Sequence, residues 1–136
     1  MTGALVLLAA LTATGLLAVA HRRRDGALRV RARSADLRPL VPGAVGERAT
    51  LLQFSSAFCA PCRATRRTLA NIAEMVPGVT HVEVDAESHL DLVRRLGILK
   101  TPTTLVLDAA GREVVRASGQ PRRAEVLAAL GEALPS

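Results

Sequence analysis
The sequence predicts an α/β fold, a mixed and mostly parallel sheet with helices on both faces, preceded by a single N-terminal transmembrane helix. Three observations predict it. Residues 3–20 carry no charge and are mostly Leu, Ala and Val. From residue 50 onward, short apolar runs alternate with stretches of helical periodicity in the order β-α-β-α-β-β-α. The two cysteines of the chain, Cys59 and Cys62, stand where the first apolar run gives way to the first helical stretch.

Length and composition set the bounds. A chain of 136 residues holds one domain and a small addition. Apolar residues make up 49%, enough for a core. There is no Trp or Tyr, and Phe54 and Phe58 are the only aromatics, so Leu, Val, Ala and Ile must fill that core. The net charge is +6 and unevenly placed. Within residues 21–38, Arg22, Arg23, Arg24, Arg29, Arg31, Arg33 and Arg38 stand against Asp25 and Asp36. No aromatics interleave with these arginines and no nucleic-acid motif accompanies them, so no nucleic acid is expected as a partner. A basic cluster directly after an apolar segment fits a membrane surface.

As a helix, residues 3–20 span ~27 Å, near the short end for a bilayer crossing. Ala18-Val19-Ala20 would suit a signal-peptide cleavage site. Such a peptide carries its positive charge ahead of the apolar region, however, and here His21-Arg22-Arg23-Arg24 follows it. The pattern favours an uncleaved anchor over residues 1–21. Arginines held on the cytoplasmic side would place the C-terminal domain inside the cell and the N-terminus outside. Residues 22–47 read as a basic juxtamembrane linker. Within it, Leu28 to Arg33 alternate apolar and basic, as either a short strand or a solvated linker would. Pro39, Pro42, Gly43 and Gly46 make residues 34–49 a loop with at most one helical turn.

The globular domain, residues 48–136, opens on a buried strand at 50–55. A helix follows over 60–76, with Leu69, Ile72, Ala73 and Val76 on its apolar stripe and Pro77-Gly78 at its end. Residues 79–84 form the next strand. Residues 88–96 form a short helix, with Ser88 as its cap, Leu92, Val93 and Leu96 inward, and Gly97 beyond it. Residues 103–107 and 113–117 make a hairpin around Asp108-Ala109-Ala110-Gly111. Pro121 opens a last helix with Val126, Leu127, Leu130 and Leu134 inward.

Two thiols separated by two residues at a helix start lie on one side of its first turn. They are near enough to close a small disulfide ring and to open it again. Redox chemistry, half of a metal site, or a static staple are the uses open to them. A zinc site takes four ligands, the chain has no other cysteine, and His21, His81 and His89 show no ligand spacing, so no metal is expected. A staple around so small a loop would remove little chain entropy. The position favours redox chemistry. Unpaired N–H groups and the macrodipole at a helix start favour thiolate, the attacking species. Pro61 falls in the first turn, where its missing N–H costs nothing, and Arg63, Arg66 and Arg67 add positive charge.

The strand running into Phe58-Cys59-Ala60-Pro61-Cys62, the βαβ unit, then Gly97-Ile98-Leu99-Lys100-Thr101-Pro102-Thr103 and the closing β-β-α resemble the thioredoxin family over roughly residues 48–134. The resemblance implies a thioredoxin-like fold with Cys59 as the nucleophile and Cys62 as the resolving thiol. It implies a cis bond before Pro102 and a substrate held in extended form by backbone groups of Thr101. Phe58, Ala60 and Pro61 complete the substrate-binding surface. The sequence also departs from the family. Phe58 replaces Trp, Ala60 replaces Gly, and Arg67 stands where the family has a proline. Gln53 stands where thioredoxins bury an Asp, and His81 aligns with the lysine near that Asp. These two are the candidate proton relay, with a plain hydrogen-bonded histidine as the alternative.

The expected function is a thiol–disulfide oxidoreductase that reduces protein disulfides at the membrane surface. Ala60-Pro61 is nearer to the reducing Gly-Pro of the family than to oxidising pairs containing His, and the cytoplasm keeps thiols reduced. No cofactor is expected beyond a redox-active Cys59–Cys62 disulfide. The expected partners are protein disulfides, an unidentified electron donor, and the bilayer through residues 3–20. Two other readings are an extracytoplasmic thiol protein for cytochrome maturation or oxidative folding, and a non-enzymatic thioredoxin-like scaffold.

Overall fold
Helix α1 (Thr2–Arg24) opens the chain and buries none of its residues. It is long and apolar enough to cross a membrane. The two threonines inside its apolar stretch are satisfied within the helix. Thr12 Oγ1 donates to the Leu8 and Ala9 carbonyls at 3.0 and 2.9 Å, and Thr14 Oγ1 donates to the Ala10 carbonyl at 2.8 Å. An apolar surface therefore carries no bare hydroxyl. The computed structural model describes residues 2–30 and 36–134.

The remaining elements are β1 (Leu28–Val30), a 3-10 turn (Arg38–Leu40), β2 (Ala49–Ser55), α2 (Ala60–Met75), β3 (Val79–Asp85), α3 (Leu90–Leu96), β4 (Thr103–Asp108), β5 (Glu113–Ser118) and α4 (Arg123–Ala133). The strands form one sheet in the order β1-β5-β4-β2-β3. β1 and the 3-10 turn lie inside the stretch expected as a linker. The rest of the Leu28–Arg33 alternation, residues 31–33, lies outside the described residues.

The sheet is mixed, but it is not mostly parallel. Among the described residues, only β2 and β3 pair in parallel; β2–β4, β4–β5 and β1–β5 are antiparallel. The reason is the length of α3. Its seven residues rise only ~10 Å, whereas recrossing a strand of six or seven residues needs about 20 Å. The chain therefore re-enters the sheet at the end where it left it, and Thr103 pairs with Phe54.

Helices do cover both faces, as expected. On one, Leu69 and Ile72 of α2 with Val126, Ala129, Leu130 and Ala133 of α4 pack on Ala49, Leu51, Val106 and Val115. On the other, Leu92 of α3 with Leu37, Val41 and Ile98 packs on Leu52, Phe54, Val82, Val84, Leu105 and Leu107. β2 is buried along its whole length, so both cores share it. Three local expectations fail. Leu127 is exposed, and Ala129 and Ala133 fill the inward positions instead. α4 begins at Arg123 rather than at Pro121, with the Arg122 N–H donating to the Glu125 carboxylate at 3.3 Å. Ser88 does not cap α3, because its hydroxyl donates to Asp85 Oδ2 at 2.6 Å.

Candidate functional site
β2 ends at Ser55 and α2 begins at Ala60, so the short loop between them carries Phe58 and Cys59. Cys59 is the N-cap of α2, and its Sγ accepts from the Cys62 N–H at 3.2 Å. The two cysteines are joined in a disulfide, with a Cα–Cα distance of 5.2 Å. Their exposures differ sharply: Cys59 is half-buried, whereas Cys62 is 1% exposed. Phe58 is fully exposed and has φ 57°, the left-handed region that a bulky residue seldom occupies.

A second loop stands beside the first. The Thr101–Pro102 peptide bond is cis. The Thr101 and Ser56 hydroxyls are hydrogen-bonded to each other at 2.8 Å, tying this loop to the one that carries the cysteines. The Pro102 carbonyl accepts from the Gly119 N–H at 2.7 Å, and Thr103 Oγ1 donates to the Lys100 carbonyl at 2.7 Å. Thr101 and Pro102 thus lie on a loop tied to the one that leads into Cys59, with Ala60 and Pro61 in the first turn of α2.

Behind the disulfide, Gln53 is fully buried. Its Nε2 donates to Ser55 Oγ at 2.9 Å and to the Cys62 carbonyl at 3.0 Å. Its Oε1 therefore faces His81, whose Nε2 lies 3.0 Å away and must carry the proton. Gln53 and His81 are brought together, but the chain they form ends at the Cys62 backbone and not at its thiol. Burial holds His81 below its ordinary value, against the upward pull of Glu83. Glu83 itself is opposed by burial, yet Arg66 and Ser55 outweigh that and hold its carboxyl below the usual range. Arg66 grips Glu83 through Nε at 2.5 Å and Nη2 at 2.8 Å. The charge of Arg66 is therefore largely spoken for, and less of it reaches the thiols than the sequence suggests.

Sequence reasoning overlooked Ser55, Ser56 and Glu83. The signal for Glu83 was present: two residues after His81 on a strand, it lies on the same face. Ser56 offered no such signal, because its partner is a long way off in sequence. Among the described residues, no group of three His, Cys, Asp or Glu side chains converges as a metal would require.

Residues 43–134 match the family model described as a thioredoxin-like domain. No curated protein matches the chain by sequence. Solved structures share its fold. Thioredoxin f from spinach chloroplast is 26% identical with a TM-score of 0.59, covering 71% of this chain and 84% of that one. Thioredoxin NaTrxh from Nicotiana alata is 21% identical with a TM-score of 0.59, covering 65% of this chain and 76% of its own. A DsbF homologue from Corynebacterium diphtheriae is 15% identical with a TM-score of 0.55, covering 77% and 92%. With the two-cysteine loop, the cis proline and the mixed sheet in place, the chain belongs to the thioredoxin-like domain family.

Proposed function
We propose that this protein is a membrane-anchored thiol–disulfide oxidoreductase that reduces protein disulfides at the membrane surface. One observation carries the reading: a half-buried Cys59 at a helix N-cap is joined to a buried Cys62, on a loop hydrogen-bonded to the one that carries Thr101 and cis-Pro102. The difference in exposure assigns the roles. A substrate can reach Cys59 but not Cys62.

In the reduced protein, the Cys59 thiolate attacks one sulfur of a substrate disulfide, and the other substrate sulfur leaves as a thiolate. The Cys62 thiolate then attacks Cys59 Sγ, breaking the mixed disulfide and expelling the second substrate thiolate. Both substrate thiolates take protons from water. Two electrons have passed to the substrate, and the Cys59–Cys62 disulfide remains for an electron donor to reduce. The Cys62 N–H and the start of α2 stabilise negative charge on Cys59. Phe58, Ala60 and Pro61 offer the docking surface, and Thr101 holds the substrate backbone. An amide does not ionise in this range, so Gln53 and His81 act by positioning Cys62 rather than by relaying its proton. No cofactor beyond the dithiol is needed.

Helix α1 is the anchor, and the arginines in its last turn favour a cytoplasmic domain. Reduction is then the favoured direction. The test has two arms. Cys62→Ser should accumulate a covalent complex with substrate proteins that thiols dissolve, and Cys59→Ser should not. A fluorescent protein fused at the C-terminus should fluoresce in cells. If alkaline phosphatase fused there is active instead, the orientation is reversed and the extracytoplasmic reading replaces this one.

A further inference from the structure
The end of α1 is fastened to the edge of the redox site. Only Asp25, Gly26 and Ala27 separate α1 from β1. The Gly26 N–H donates to the Ser118 carbonyl at 2.7 Å, and the Asp25 carboxylate pairs with Lys100, the residue before Thr101. Between them lies a cavity of about 400 Å³, lined by His21, Arg24, Arg29, Lys100 and Arg116 among others, with Asp25 as its acid. That size is in the range of pockets that take small ligands.

The charges in its wall are unevenly satisfied. Arg116 is held by the Glu113 carboxylate at 2.6 and 2.8 Å and by the Leu96 carbonyl at 2.7 Å. Lys100 is shared with Asp25. The Arg24 and Arg29 guanidinium groups have no hydrogen-bond or ion-pair partner among the described residues. The pocket therefore holds two uncompensated guanidinium groups, whose fork suits a phosphate oxygen pair.

The depth of the pocket names the source of that phosphate. Residues 3–20 carry no charge, and the first residue beyond them, His21, already lines the cavity. With the apolar helix in the hydrocarbon, the pocket lies at headgroup level. We infer that this cavity binds the phosphate of an anionic phospholipid headgroup between Arg24 and Arg29. The inference rests on the membrane reading of α1 but not on the redox reading. Its consequence is that a bound lipid sits against Leu99 and Lys100, immediately before the cis-proline loop.

The test uses the full-length oxidised protein in detergent, with lipid binding read by native mass spectrometry. Phosphatidylglycerol should bind, and phosphatidylcholine should bind far more weakly. Arg24→Gln with Arg29→Gln should weaken phosphatidylglycerol about 30-fold, at ~1 kcal/mol per arginine. Arg22→Gln with Arg23→Gln removes the same charge from residues that do not line the cavity; a detergent micelle offers them no anionic surface, so binding should change by less than about 3-fold. An equal loss in both double variants would reduce the effect to general surface charge and overturn the pocket. Competition by millimolar inorganic phosphate that matches the lipid would overturn the lipid assignment. All four arginines are exposed, so thermal unfolding should be unchanged in each variant. No redox partner is present, so failure of the redox reading would leave this result untouched.

Discussion

Phe58 holds a left-handed backbone at φ 57° while its ring lies wholly in solvent. Such a conformation costs about 1–3 kcal/mol and gains nothing from packing here. Substrate contact is the benefit that fits. Asn tolerates this region better, so Phe58→Asn should raise stability by about 0.5–1 kcal/mol in urea titration and raise KM for protein disulfides. Gln53 is the opposite case, wholly engaged. Gln53→Ala would strip partners from the Cys62 carbonyl, Ser55 and His81 and leave a cavity, costing about 3 kcal/mol. Below both lies His81, held under its ordinary 6.5 by burial first. The unfolded chain takes up a proton near pH 6.5 that the folded chain accepts only at lower pH. Stability is therefore full above about 6.5 and lost as pH falls through it toward the folded value. His81→Asn should flatten that descent when Tm is followed from pH 8 to 5, and an unchanged slope would show that His81 is not its source. At this scale the two cysteines were legible from their local spacing, and Thr101-Pro102 from the family resemblance. The partners of Gln53 were not, since strand register set them.

The elements were legible wherever periodicity was strong. The stripe of α2, Leu69, Ile72 and Ala73 with Val76 at its C-cap, and the runs that became β2 to β5 were placed correctly, with ends shifted by a residue or two. Sheet direction was not legible, because it depends on the reach of a seven-residue helix rather than on any pattern. β1 was half legible: the alternation from Leu28 to Arg33 allowed a short strand or a linker, and pairing with β5 decides for the strand over Leu28–Val30. Two glycines make the difference between local and tertiary cause testable. Gly97 closes α3 at φ 61° with open space around it, so Gly97→Ala should cost only backbone strain, about 1 kcal/mol by urea titration. Gly26, at φ 75°, lies where a Cβ would run into the Gln120 carbonyl. Gly26→Ala should therefore loosen the join between α1 and the sheet, seen as faster amide exchange in Leu28–Val30 with α2 and β2 unaffected. Equal exchange in both variants would contradict that assignment.

The whole molecule is a thioredoxin-like domain carried on one long apolar helix, with the disulfide loop, the cis-proline loop and the helix end gathered along one margin of the sheet. The charge asymmetry that suggested a membrane surface was legible from the sequence. The fastening of Asp25 to Lys100 was not, since it joins residues far apart in the chain. Function at this scale comes down to whether the dithiol cycles. The most direct measurement mixes the fully reduced protein with excess insulin under anaerobic conditions and counts free thiols on each partner after alkylation. Loss of the Cys59 and Cys62 thiols matched by opening of one insulin disulfide per protein, and no transfer from Cys59→Ser, is the predicted result. Intact insulin with the wild-type protein, or equal transfer from Cys59→Ser, would contradict it.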